Sequence, residues 1–207
     1  MKAISNEIGC VVMVVNLQKG QRVDLTKGNA GLNRIVVGLG WDPVEQKRGW
    51  FSAAPANIDC DTSVIMLQND RLSDNQDIVY FGRLKSECGS VIHSGDNLTG
   101  QGHGDDETIV VSLNDVPTKY NKLVFVVNIY DSHNRKQHFG MIRNAYIRVI
   151  NPANNEELIR YNLSDDYNDQ TSLITGEIYR HNGEWKFAAL GNATQDRSIS
   201  EVCMRFT

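Results

Sequence analysis

The chain has no long apolar run. None of its 207 residues belongs to a stretch near the ~20 apolar residues that a membrane-spanning helix needs. The apolar run at residues 11–15 is too short for a secretory leader, and no small-residue cleavage site follows it. Cysteine is sparse: Cys10, Cys60, Cys88 and Cys203 form no C-x-x-C pair and no zinc-like spacing. A chain this long builds a core without disulfide staples, so free thiols in a reducing compartment are expected, with the cytoplasm as the location. Proline numbers only four, and there is no Pro/Ser linker, internal repeat or low-complexity segment. One domain spanning residues 1–207 follows. Neither sign of charge dominates: the net charge is −4, and no basic footprint for nucleic acid exists. The five histidines never pair at i, i+4, and a zinc site from His93 and His103 is disfavoured in so oxygen-rich a setting.

Helical periodicity is also scarce, and β-branched runs take its place. Residues 34–39, 63–67, 78–81, 108–113, 123–130, 145–150, 158–163, 172–179 and 185–190 join 11–15 as short runs of strand formers between Gly, Asn, Asp or Ser clusters. Such a pattern predicts an all-β fold, an antiparallel β-sandwich. The 123–130 run is apolar on both faces, with Leu123, Phe125, Val127 and Ile129 on one and Val124, Val126 and Tyr130 on the other. It belongs mid-sheet, with a loop or helix covering the second face. In 158–163, Ile159, Tyr161 and Leu163 point inward, with Arg160 and Asn162 outward. One helix stands out. Ile199, Val202, Cys203 and Phe206 form a single stripe, and Ser198 with Glu201 reads as a capping box, predicting a short C-terminal helix on the sandwich. Residues 41–57 carry no strand pattern and read as a long loop.

Chemistry concentrates in residues 95–107, which hold four carboxylates, one Asn, one Thr and four glycines. Calcium takes six to eight oxygens at roughly 2.3–2.6 Å, and glycines let the backbone curl so that carbonyls turn inward. The adjacent acids Asp105, Asp106 and Glu107 repel one another without a counter-ion and run into the strand at 108. A solvated surface turn is the plain alternative. The order of residues is not that of an EF-hand. A second element, Asp59-Cys60-Asp61, places two carboxylates on one face of an extended chain. Two such elements, each entering an apolar strand, can meet at one end of the sheets. Arg135, Lys136, Arg143 and Arg148 form a modest basic cluster, read as solvated strand edges, with a docking face for an acidic partner or membrane as the alternative. Asp105 and Asp106 as an acid–base pair have no nucleophile, oxyanion hole or phosphate loop beside them.

These motifs together resemble the TerD family of tellurite-resistance and general-stress proteins. The likeness runs through Leu17-Gln18-Lys19-Gly20, Val23-Asp24-Leu25-Thr26-Lys27 and Val37-Gly38-Leu39-Gly40-Trp41-Asp42-Pro43. It continues through Asp59-Cys60-Asp61-Thr62-Ser63 and is strongest over residues 93–107. Phe139-Gly140-Met141-Ile142-Arg143-Asn144-Ala145, Gly176-Glu177-Ile178-Tyr179-Arg180 and Trp185-Lys186-Phe187 complete it. Cys60 stands where the family usually has Leu, Asn162 where it often has Asp, and the 44–57 loop is longer and more basic. The resemblance implies a β-sandwich that binds calcium, two ions, through its acidic loops. Carried over residue by residue, the ligand candidates are Asp59, Asp61, Asp96, Asn97, Thr99, Gly100, Gly102, Asp105, Asp106 and Glu107, the glycines through their carbonyls. It implies a non-enzymatic binding or scaffold module whose partners are other proteins of the stress or tellurite-resistance system, with membrane contact only through them. A metal-dependent hydrolase using the same carboxylates is the alternative.

Overall fold

A computed structural model of the chain describes residues 14–29, 31–43, 58–95, 104–163, 165 and 167–207. The strands, in chain order, are β1 (Val15–Leu17), β2 (Arg22–Asp24), β3 (Arg34–Pro43), β4 (Cys60–Leu67), β5 (Ile78–Val79) and β6 (Val91–His93). There follow β7 (Glu107–Ser112), β8 (Lys122–Ile129), β9 (Ile142–Asn151), β10 (Glu156–Asn162), β11 (Ser172–His181) and β12 (Glu184–Thr194). They form two six-stranded sheets: sheet I, in the order β1-β10-β9-β3-β7-β6, and sheet II, in the order β2-β12-β11-β8-β4-β5. Pairing is antiparallel except for the edge strand β1, which runs parallel to β10. The β-sandwich expected from the sequence is therefore present.

The main core lies between the sheets. Ile35, Val37 and Leu39 of β3 meet Val64 and Met66 of β4 and Phe125 and Val127 of β8 in one cluster. Phe125 and Phe187 are fully buried, each contributing roughly 1.5–3 kcal/mol by leaving water. The two-faced strand at 123–130 is β8, and both faces are indeed covered. Leu123, Phe125, Val127 and Ile129 enter the inter-sheet core. Val124 and Val126 enter a second cluster with Ile65, Leu67, Ile174, Val202 and Cys203. The cover is the C-terminal helix α2 (Ile199–Cys203), extended by a 3-10 turn to Phe206; the four-residue α1 (Ser132–Arg135) precedes it in the chain. Tyr130 departs from the expectation: it lies beyond β8 and is exposed.

The helix start follows the capping signature in half. Ser198 Oγ accepts from the Glu201 N–H at 3.4 Å, while Glu201 reaches back to the Arg197 N–H at 2.8 Å rather than to that of Ser198. In β10, Ile159 and Tyr161 are buried and Asn162 is exposed, as the alternation requires. Of the expected run at 11–15, residues 11–13 lie outside the described residues, and the strand seen there begins at Val15. The loop expected over 41–57 is corrected at its start, where Trp41, Asp42 and Pro43 continue β3 and pair with β9, and its remainder, 44–57, lies outside the described residues. Cys60, Cys88 and Cys203 are free thiols, and Cys10 is not among the described residues.

β4 starts, and its neighbour β8 ends, at the same end of sheet II, because they are antiparallel; Asp61 therefore faces Asn128. β11 starts there too, with Ser172 opposite Asn128. β7 starts at this end of sheet I with Glu107. The described acids of both elements, Asp59 and Asp61 before and in β4 and Asp106 and Glu107 at the start of β7, thus lie at one end. The opposite end carries the β2–β3, β7–β8 and β11–β12 connections.

Candidate metal centre

Cys60 is fully buried in the inter-sheet core. Strand alternation then turns its neighbours Asp59 and Asp61 to the outer face of sheet II. Both carboxylates are nonetheless enclosed, 7% and 4% exposed. Asp61 sits beside Asn128, whose Oδ1 is buried and takes no hydrogen bond among the described residues. The same holds for Ser132 Oγ in α1, the short helix that follows β8 at this end. Arg135, from that helix, holds Nη1 3.6 Å from Asp59 Oδ2 and lays its guanidinium over the Tyr130 ring.

Glu107 points the other way, into the end of the inter-sheet space, and is 1% exposed. Its Oε2 accepts the Thr62 N–H at 2.7 Å, which joins β7 of sheet I to β4 of sheet II. His93 completes this clasp. Its Nδ1 accepts the Gly95 N–H at 3.0 Å. The ring proton is therefore on Nε2, which donates to the Thr62 carbonyl at 3.0 Å and lies 3.4 Å from Glu107 Oε2. Zinc ligation by His93 would have to break these bonds. No sequence signal marked His93 for this role, beyond its place immediately before the acidic loop.

Asp106 accepts the Trp41 N–H at 2.8 Å. Burial pushes its carboxyl up from the usual range, and Asp42, Asp105 and Glu107 push it the same way. Burial also drives the Cys60 thiol up, followed by the charges of Asp61, Glu107, Asp59 and Asp106. One thiol thus feels four carboxylates from the two sequence elements.

Asp105 is placed differently. It folds back over the outer face of sheet I, where Arg148 Nε and Nη2 donate to it at 2.7 and 3.0 Å and the Tyr146 hydroxyl at 2.9 Å. The facing strand makes room with glycine. A β-carbon on Gly38 would overlap the Asp105 carboxylate, and one on Gly40 would lie 2.6 Å from the Tyr146 ring. Arg148 in turn pairs with Glu157, and Glu157 with Arg160. Arg148 therefore answers an acid of the candidate site and is not the solvated strand edge expected, while Arg135 remains exposed, on α1 rather than on a strand, with one nitrogen toward Asp59.

Asp96, Asn97, Thr99, Gly100 and Gly102 lie outside the described residues. The glycines on either side of that gap, Gly95 and Gly104, have φ of 111° and 113°, in the region that favours glycine. Among the described residues no three His, Cys, Asp or Glu side chains are grouped closely enough to hold a metal by themselves. The donor set is one of hard oxygens, suited to calcium rather than to a softer ion.

The family model of the TerD domain matches residues 13–206. The chain belongs to the TerD domain family. It is 56% identical over 198 residues to stress response protein SCP2 of Bacillus subtilis (strain 168), covering 94% of this chain and 100% of that one. It is 39% identical over 195 residues to tellurium resistance protein TerD of Serratia marcescens, covering 94% and 97%. A crystal structure of a homologue of telluride resistance protein (TerD) from Streptomyces coelicolor A3(2) superposes with a TM-score of 0.66 at 21% identity, covering 86% and 99%. That likeness concerns the fold. No helix among the described residues of this TerD-domain chain is long and apolar enough to cross a membrane.

Proposed function

We propose that this chain is a calcium-binding module of a stress-response or tellurite-resistance system, in which the ion orders the acidic loops and creates a surface for partner proteins. The observation that carries this reading is the presence of Asp59, Asp61, Asp106 and Glu107 at one end of the sandwich, all four charges close enough to raise the Cys60 thiol, in surroundings that also raise the Asp106 carboxyl. Enclosed like charges cost free energy that a divalent cation offsets. Asn128 Oδ1 and Ser132 Oγ offer neutral oxygens at the same end. These residues fit calcium as part of a donor set. Since no three of these side chains group closely enough by themselves, Asp59 with Asp61, or Asp106 with Glu107, would each supply carboxylates to an ion, with Asp96, Asn97, Thr99 and the carbonyls of Gly100 and Gly102 completing the shell. Asp105 would join only by leaving Arg148, so it serves first to seat the loop on sheet I. Bound calcium supplies charge neutralisation and fixes the loop between two rigid strand ends.

A cleft of ≈ 560 Å³ beside Asp106, lined also by Asp42, Asn144, Tyr146 and Arg160, favours the hydrolase alternative. Open, water-filled metal positions would support that alternative, and a shell saturated by protein oxygens would support the binding module.

The test is the melting temperature with and without calcium. At a calcium concentration of about 100 Kd, mass action stabilises the folded state by about 2.7 kcal/mol. Asp106→Asn should behave with opposite sign in the two conditions. With chelator it relieves repulsion and leaves the protein as stable as the parent or more so; with calcium it melts below the parent. Absence of a calcium shift at millimolar concentration refutes the proposal.

A further inference from the structure

The end of the sandwich remote from the acidic loops holds a second built cleft. It has a volume of ≈ 420 Å³ and is walled by the β2–β3, β7–β8 and β11–β12 connections, with Thr26, Asn33, Asn114, Arg180, Glu184 and Trp185 among its lining. This size falls within the range of small-molecule sites, roughly 300–1,000 Å³. The walls are tied to one another. The Leu113 N–H bonds the Asn33 carbonyl at 2.8 Å, and the Leu25 N–H bonds that of Trp185 at 2.9 Å. Asn114 Nδ2 donates to Asn33 Oδ1 at 2.6 Å.

Two charges of opposite sign line this cleft without pairing to each other. The Arg180 guanidinium lies 4.2 Å from the Trp185 ring centroid and donates to the Val116 carbonyl at 2.7 Å and the Tyr120 carbonyl at 3.3 Å. Among the described residues no carboxylate pairs with it, and burial alone pushes its ionisation down from the ordinary value. Its planar fork is therefore oriented by neutral groups, and among the described residues Nη1 has no acceptor. Glu184 accepts from the Thr26 hydroxyl, and Thr26 Oγ1 accepts the Trp185 N–H at 2.9 Å. The carboxylate is thus oriented as well. A dianion such as phosphate would meet repulsion from Glu184, and a simple cation would meet it from Arg180. A molecule bearing both charges meets neither.

We propose that this cleft binds a small zwitterion of the amino-acid type, its carboxylate on the Arg180 fork and its ammonium on Glu184. The carboxamides of Asn33 and Asn114 lie in the same walls for its remaining polar groups. The site is independent of the calcium reading, since no residue is shared.

The test is an NMR titration of the ¹⁵N-labelled full chain with free glycine, glutamate and lysine to millimolar concentration, and separately with acetate, ammonium and inorganic phosphate. Amide shifts confined to the three loops, with an amino acid binding more tightly than acetate, ammonium or phosphate, are expected. Glu184→Gln should weaken amino-acid binding about tenfold and leave acetate binding no weaker. Arg180→Gln should abolish both. Because Arg180 also pins the β7–β8 loop, spectral dispersion of that variant is the fold check; if it fails to fold, Glu184→Gln carries the test. Absence of localised shifts with any amino acid, equal binding of acetate or phosphate, or unchanged affinity in Glu184→Gln overturns the proposal.

Discussion

Gly38→Ala tests where Asp105 goes. Alanine at an ordinary position in a strand is favoured over glycine by roughly 0.5–1 kcal/mol, because glycine loses more backbone freedom on folding. At Gly38 the sign should reverse. The new methyl would enter the space of the Asp105 carboxylate. That carboxylate cannot move without loosening its two bonds from Arg148, at 2.7 and 3.0 Å, and the one from Tyr146. Overpacking of this kind costs about 1–3 kcal/mol. Less the propensity gain, the middle of these ranges leaves a net loss of about 1.3 kcal/mol, or roughly 2–5 °C in melting temperature for a chain of this size. Asp105→Ala alone should also destabilise, since it removes charge-assisted bonds, although Glu157 still holds Arg148. In the double variant the methyl finds the space empty, so the two losses should fall short of additivity by at least about 0.5 kcal/mol. Urea denaturation of the four proteins, with equal m-values, measures this. A neutral or stabilising Gly38→Ala, or strict additivity, would refute the placement of Asp105 on sheet I.

Arg135→Ala removes a cation that competes for Asp59, and should tighten calcium binding by up to about fivefold, the scale of a partly exposed ion pair; calcium titration of the variant reads this. His93→Phe keeps the ring volume but strips both nitrogens from the Thr62–Glu107 clasp, and should cost about 1–3 kcal/mol in chemical denaturation. The Arg205 guanidinium beside Asp196 holds that carboxyl below its ordinary 3.8. Its stabilisation is therefore complete above the unfolded value and lost as pH falls through the lower folded value. The parent should lose melting temperature below pH 3.8 more steeply than Arg205→Gln does.

Much of this architecture is written locally. Leu123 to Ile129 alternate between two apolar faces because both faces are covered, and that pattern is visible in any window of the chain. The C-terminal stripe and Ser198 carry their own start signal. β2 and β6 escaped notice because three residues each, Arg22-Val23-Asp24 and Val91-Ile92-His93, are too few to display a period. Their pairing comes from neighbours far along the chain. Asp59 and Asp61 were legible as a one-faced pair, since alternation is a local property. That Asp105 parts from Asp106 was not legible. Its partner Arg148 is 43 residues away, and only the register of β3 against β9 brings Gly38 opposite Arg148. The His93–Thr62 bond likewise joins strands of different sheets.

The central claim is that the acidic end of the sandwich is a calcium site, and calorimetric titration of the full chain with calcium tests it most directly. The expected result is saturable binding that magnesium competes for poorly, since magnesium demands small octahedral geometry and holds its waters. Asp61→Asn, folded as the parent is, should remove that binding. No saturable heat at millimolar calcium, or equal binding by the parent and by Asp61→Asn, would contradict it.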